Sequence, residues 1–287
     1  MALIVVDRFH VATSIPDAVA ALAERGSAGL PLAGATWVMR ARLRGERVSR
    51  SHVSIGRIDA LRQVEITADD ISVGACVTHA ALAEALVGLP DAEALHQAAG
   101  RSANPAIREV ATVGGNLCTT DFAAADLVPA LMCLEADVEI ATPAGTERMA
   151  LDRFVERRES LPPGYLLVRA IVPRRDRRSV HMRLPLRKAG DYPVAIVSLA
   201  VECGADHAVT RAAVAVGSVE PAARRWRALE AELVGAPLDA ERAAERAASH
   251  AGGFVGRDGV EAPGWYRVKV LSVLVRRAVE ALRALEA

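Results

Sequence analysis

Aromatic residues make up only 3% of this 287-residue chain, so its core must be assembled from the Ala, Val and Leu within a hydrophobic content of 52%. A chain of this length buries a large interior and divides into two or three compact units more readily than one. Surplus charge is also missing, since Lys plus Arg and Asp plus Glu each total 35. No positive excess is left to neutralise a phosphate backbone, which puts nucleic-acid binding well down the order of functions. The apolar start Met1-Ala2-Leu3-Ile4-Val5-Val6 is interrupted by Asp7 and Arg8 before an export signal can form. No later apolar run approaches the roughly 20 residues that cross a bilayer, the best being Ala195 to Val201. A cytoplasmic protein without a membrane span is the expectation.

Clustered metal ligands are lacking too. Cys76, Cys118, Cys133 and Cys203 stand far apart and form no Cys-x-x-Cys pair, which argues against an iron–sulfur or zinc site in this chain. The seven histidines are scattered, with no pair at helical i, i+4 spacing, so no metal site is expected. There is no Gly-x-Ser-x-Gly elbow, no Gly-x-x-x-x-Gly-Lys loop, no Gly-x-Gly-x-x-Gly fingerprint and no His-Glu-x-x-His. No catalytic residue is nominated, and any chemistry must come from a bound cofactor.

The patterning predicts a helix from Ile15 to Arg25 behind Thr13-Ser14, a buried strand Leu30-Pro31-Leu32-Ala33, and a second helix through Arg44. Val64-Glu65-Ile66 and Ile71-Ser72-Val73 read as strands, followed by a helix from His79 to Val87 and a loop from Arg101 to Val113. Leu127 to Leu134 reads as a buried helix, and Asp137 to Leu151 as a hairpin turning at Pro143-Ala144-Gly145. A strand from Tyr165 ends at Pro173, and the charged run Arg174 to Arg178 marks a boundary or a solvated loop. Beyond it come strands Ala195 to Cys203 and Ala212 to Gly217 and a helix Asp239 to Ser249. The last helix puts Leu271, Leu274, Val275, Ala278, Val279 and Leu282 on one face.

Two segments are suited to a phosphate-bearing cofactor. In Leu32-Ala33-Gly34-Ala35-Thr36-Trp37 a strand ends in a small-residue turn that opens a helix, so successive amides can converge on an anion. By itself this is also an ordinary strand-to-helix turn. In Thr112-Val113-Gly114-Gly115-Asn116 the paired glycines let main chain approach a ligand, flanked by two hydrogen-bonding side chains. Asp126 can accept from ribityl or ribose hydroxyls, or simply cap the helix at Leu127.

The order Ala33-Gly34-Ala35-Thr36-Trp37, Ala111-Thr112-Val113-Gly114-Gly115-Asn116 and Asp126-Leu127-Val128-Pro129 resembles the FAD-binding medium subunit of the molybdenum hydroxylases, the family of the carbon monoxide dehydrogenase medium subunit and the xanthine dehydrogenase flavin domain. Arg187-Lys188-Ala189-Gly190-Asp191-Tyr192 and Tyr266 to Ala278 resemble its later motifs. The resemblance implies an α+β architecture. Residues 1–55 and 56–176 would form a two-part FAD-binding domain of the vanillyl-alcohol-oxidase-like (PCMH) type. Residues 177–287 would form an α/β C-terminal domain with a small antiparallel sheet and helices.

It further implies FAD held by Leu32 to Trp37 and Thr112 to Asn116, with Asp126 on the hydroxyls and Leu167 and Arg183 near the ring. Electrons would come from 2Fe-2S centres. A small 2Fe-2S subunit and a large molybdopterin-binding subunit are the implied partners. They would form a hetero-oligomer, with a dimer of heterotrimers as one arrangement.

Three departures stand out. The family's first motif normally has a second glycine where this chain has Ala35, which costs about 1 kcal/mol if the position needs a positive φ. Against the roughly 12 kcal/mol of a nanomolar cofactor, this weakens binding without abolishing it. Trp37 replaces a small or acidic residue, and Phe122 a common proline in a loop one residue longer than usual, which leaves Asp121 as an alternative to Asp126. Two rival functions remain open: a free-standing flavin oxidoreductase, and an assembly subunit that has lost FAD.

Overall fold

The computed structural model describes residues 8–45, 51–186 and 192–285. Strands β1 (Arg8–Val11), β2 (Leu30–Leu32) and β3 (Ser51–Ser54) form a parallel sheet with β3 in the middle. The helix Ile15–Arg25 covers it with the bounds predicted. Ser14 Oγ accepts the Asp17 amide, Pro16 sits in the first turn, and Ala18, Val19, Ala21 and Leu22 are buried. The predicted buried strand at residues 30–33 is instead an edge strand with Leu30 and Pro31 exposed, a place where the missing amide of proline does no harm. The predicted second helix is a 3-10 segment, Val38–Arg44, stopped by Gly45 at φ 74°. Its Met39 and Leu43 are 77% and 81% exposed, so no buried face selects the α geometry.

Next come β4 (Val64–Ile66), β5 (Asp70–Gly74), β6 (Asp137–Thr142), β7 (Gly145–Ala150) and β8 (Leu166–Pro173). They form an antiparallel sheet in the order β4-β5-β8-β6-β7. Opposite β6 the register skips Val168, because Glu139 pairs with Arg169 and Ile140 with Leu167. That bulge reverses the phase of the strand. Leu166 and Val168 join the small core under the helix Ile15–Arg25, while Leu167, Ala170 and Val172 face the main core.

The third sheet, ordered β12-β11-β10-β9, contains β9 (Arg178–Pro185), β10 (Pro193–Cys203), β11 (Val209–Gly217) and β12 (Arg224–Arg225). One face meets the helices Glu93–Arg101 and Leu127–Cys133, and the other the helices Arg227–Leu233 and Leu271–Ala284, with Ala240–His250 packed on the last. Covered on both sides, β10 is buried from Pro193 to Val201. The six residues predicted on the C-terminal helix face are the ones buried. Ala200, Ala213 and Ala215 join the main core of the second sheet, so the two regions share one interior.

The charged run is not a solvated linker. Arg174 pairs with Asp91 (2.9 Å), and buried Arg177 donates to the carbonyls of Asp91, Leu134 and Pro173. Ser179 Oγ accepts the Ala94 amide (3.0 Å) and so caps the helix Glu93–Arg101 from across the junction. The stretch 101–113, predicted as a loop, carries one helical turn, Pro105–Arg108, because Asn104 Oδ1 accepts the Ile107 amide ahead of a proline at the first position. Residues 187–191 of the basic-Gly-Asp segment lie outside the described residues.

Candidate functional site

The first loop follows β2. A Cβ on Gly34 would lie 1.7 Å from the Val110 carbonyl oxygen, so only glycine lets this turn seat against the segment that leads into the second loop. Ala35 adopts φ 58°, the left-handed conformation that glycine takes freely and alanine only at a cost of about 1–2 kcal/mol. The Ala35 and Trp37 carbonyls turn into the 3-10 segment, accepting the Met39 amide (2.9 Å) and the Arg40 amide (3.1 Å). Among the described residues, the amides of Gly34, Ala35, Thr36 and Trp37 donate to no acceptor. The result is a row of donors that no acceptor among the described residues satisfies.

Ala35→Gly should therefore stabilise the chain. Relief of about 1–2 kcal/mol of strain exceeds the added freedom of an unfolded glycine, leaving a net gain of about 0.5–1 kcal/mol. Urea unfolding of the two chains checks it.

The second loop is a helix, Val113–Cys118. Thr112 is its N-cap, with Oγ1 accepting the Gly115 amide (3.2 Å). Its start is fixed by Val113 and Gly114 amides bonded to the Val77 and Ala75 carbonyls. The two glycines do different things. A Cβ on Gly114 would come within 2.9 Å of Ala75, so this residue is small for packing, whereas Gly115 is exposed and meets only Thr112 Oγ1 at 3.1 Å. Asn116 is buried and accepts the Leu127 amide through Oδ1 (3.1 Å). It therefore tethers the helix Leu127–Cys133, the work an Asp126 cap would have done.

Asp126 caps nothing. Its carboxylate is 4% exposed and accepts from Arg183 Nε (3.0 Å) and His181 Nε2 (3.3 Å). On β9, residues 181 and 183 share a face by the strand's period of two, while Val180 sits in the C-terminal core and Met182 and Leu184 pack against it. His181 Nδ1 meets Ser198 Oγ (2.9 Å), and Gln97 Oε1 accepts the His181 amide (2.9 Å). With Nδ1 accepting from the serine, Nε2–H is left to donate to the carboxylate. Asp121 is exposed.

The structure thus brings together the two loops, and separately ties Asp126 to Arg183. Leu167 is 3% exposed in the main core, which it shares with Val113 and Leu117 of the second loop's helix. His181 escaped the sequence reading because a single histidine two residues before an arginine carries no signal until the strand is known.

Ionisation in this region follows burial. His79, whose Nδ1 meets Ser102 Oγ (2.6 Å), is held down to about 4, chiefly by desolvation and against the pull of Asp126. The unfolded chain therefore binds a proton that the folded chain refuses between pH 6.5 and 4. The neutral His79 contribution is complete above about pH 6.5 and is lost as pH falls toward about 4. The acid limb of stability against pH, measured by urea unfolding, should flatten in His79→Asn. Burial raises the thiols, Cys76 to about 11 and Cys118 and Cys133 to about 12, so none is a thiolate near neutrality. The loops supply donors and close main-chain approach, which suits binding and not acid–base or nucleophilic catalysis.

Residues 6–175 match the FAD binding domain in molybdopterin dehydrogenase, and residues 181–282 match the CO dehydrogenase flavoprotein C-terminal domain. The carbon monoxide dehydrogenase medium chain of Afipia carboxidovorans is 30% identical over 96% of both chains. The xanthine dehydrogenase FAD-binding subunit of Escherichia coli O157:H7 is 27% identical over 80% of both. Among solved structures, the reconstituted CO dehydrogenase of Oligotropha carboxidovorans superposes with a TM-score of 0.88 at 26% identity, covering 97% of this chain and 98% of that one. No helix among the described residues is long and apolar enough to cross a membrane. With the two regions matched in order, a FAD-binding part followed by the C-terminal domain, the chain belongs to the FAD-binding medium-subunit family of the molybdenum hydroxylases and is an oxidoreductase subunit whose cofactor is FAD.

Proposed function

We propose that this chain is the electron-transfer station of a molybdenum hydroxylase complex, with FAD seated on the loops Leu32 to Trp37 and Thr112 to Asn116. One observation carries the reading: the wedge of Gly34 against Val110 brings the loops together while four successive amides, Gly34 to Trp37, have no acceptor among the described residues. A pyrophosphate needs such a row of backbone donors. Exposed Gly115 leaves main chain open to a ligand on the other side. The donor set fits the cofactor.

In this reading Asp126 meets hydroxyls of the cofactor, held in orientation by His181 and Arg183, and Leu167 and Arg183 lie toward the flavin ring. FAD supplies the redox chemistry, accepting and releasing electrons singly or in pairs. The chain contributes binding and orientation, and it nominates no acid or base. The 2Fe-2S centres and the molybdopterin belong to partner chains, a small and a large subunit, in a cytoplasmic hetero-oligomer. Residues 1–55 and 56–176 form the two halves of the cofactor domain, and 177–287 the C-terminal domain.

A tagged full-length chain, purified from its native host, tests the reading. It should bring down a large molybdopterin-bearing subunit and a cysteine-rich small subunit, and its flavin should be reduced when the complex is given substrate. A chain that purifies alone and turns over an organic substrate overturns it in favour of a free-standing flavin oxidoreductase.

A further inference from the structure

The three positions at which the sequence leaves its family's pattern, Ala35, Trp37 and Phe122, are joined in space. The Trp37 ring lies 4.9 Å from that of Phe122, tilted by 42°, and Phe122 meets Tyr192 edge-on at 5.4 Å. Arginines fasten both ends of this row. Arg44 stacks 3.8 Å above the Trp37 ring and donates to the Trp37 carbonyl (3.0 Å), while Arg40 donates to the Tyr192 hydroxyl (3.0 Å). In a chain with 3% aromatics, three rings from distant segments gather at one point. Those segments are the first loop, the arm between Asn116 and Asp126, and the residue just before β10.

Ala35, at φ 58°, lies between two anchors. On one side Gly34 is wedged against Val110, and on the other Trp37 is gripped by Phe122 and Arg44. A non-glycine residue stays in the left-handed region only where its surroundings over-determine it. Removing either anchor frees Ala35 to relax, and the backbone of residues 34–37 then shifts with it.

We propose that Trp37 and Phe122 are positioning residues of the cofactor site. Their ring contact clamps the first loop to the arm behind the second, keeps that backbone in place and makes FAD exchange slow. The inference rests on reading these loops as the FAD site. It has a consequence that simple filling of space lacks: the clamp matters because residue 35 is strained, so glycine at 35 makes it dispensable.

The test uses the FAD-loaded full-length chain, with release after dilution followed by the rise in flavin fluorescence and the melting temperature measured for every variant. Phe122→Leu, which keeps apolar volume but loses the ring contact, should release FAD about tenfold faster. Trp37→Phe keeps a ring in place and should stay within about threefold of the unvaried chain. Adding Ala35→Gly to Phe122→Leu should bring release back to within about threefold of Ala35→Gly alone. Release by Phe122→Leu within about twofold of the unvaried chain, or equal acceleration with Ala35 and with glycine, overturns the clamp while leaving the site reading intact. A chain that cannot be loaded with FAD overturns both.

Discussion

Gly34→Ala is expected to give a chain that holds FAD at least about 100-fold more weakly, a loss of about 3 kcal/mol of binding free energy. The added Cβ would sit 1.7 Å from the Val110 carbonyl oxygen and 2.8 Å from its carbon, both backbone atoms with no rotamer to escape into. The loop must lift away from the second loop, carrying its amides with it. Stability should fall as well, by about 1–3 kcal/mol or somewhat more, as in other cases of forced overpacking. Gly115→Ala separates packing from ligand approach. Its Cβ meets only Thr112 Oγ1 at 3.1 Å, so melting should hardly change while FAD affinity falls. Equilibrium titration with FAD and urea unfolding of both variants check the pair. Retention of normal affinity by Gly34→Ala would mean that the two loops do not act together.

Asp126→Ala should destabilise the fold by about 1–3 kcal/mol, the usual cost of taking the acceptor away from buried hydrogen-bond donors. Arg183 Nε and His181 Nε2 both donate to this one carboxylate, whose side chain is 5% exposed, and the Arg183 side chain is only 12% exposed. The two donors come from β9, beyond the junction between the cofactor domain and the C-terminal domain, so the loss should loosen the junction as well as the site. Asp126→Asn keeps the shape and one acceptor oxygen, and should cost less. The double variant Asp126→Leu with Arg183→Leu should cost less than the sum of its parts, because each single variant already removes the interaction the two side chains share. Urea unfolding of the set gives the coupling directly. Additive costs would contradict the pairing.

Much of the fold was legible because local signals agreed with tertiary burial. The helix Ile15–Arg25 has its cap in Ser14, its proline in the first turn and its buried face at the expected spacing. The hairpin of β6 and β7 turns at Gly145, at φ 132°, where its sequence places the turn. Elsewhere the deciding contact lay far along the chain. β9 was illegible because Ser179, His181 and Arg183 alternate with its apolar residues and face another domain. A strand with one polar face usually turns that face to water. The helix at Gly114-Gly115 contradicts glycine's low helix propensity, and is imposed by Thr112 and by docking on Ala75 and Val77.

At the site, the residue types were legible and the division of labour was not. The two glycine motifs read as one kind of feature, yet Gly34 and Gly114 are small for packing while Gly115 is open. Asp126 is buried and held by partners on β9, whereas Asp121 is exposed. Nothing local could indicate this, since both aspartates precede the same helix. The concern raised by Ala35 was well founded in its geometry, for the residue does occupy a positive φ.

Titration of FAD into the purified, flavin-free full-length chain tests the central claim most directly. The account predicts saturation at one FAD per chain, with flavin absorbance that co-elutes with the protein, and a titration midpoint at least about 100-fold higher in Gly34→Ala. A folded chain that stays colourless at saturating FAD would contradict it.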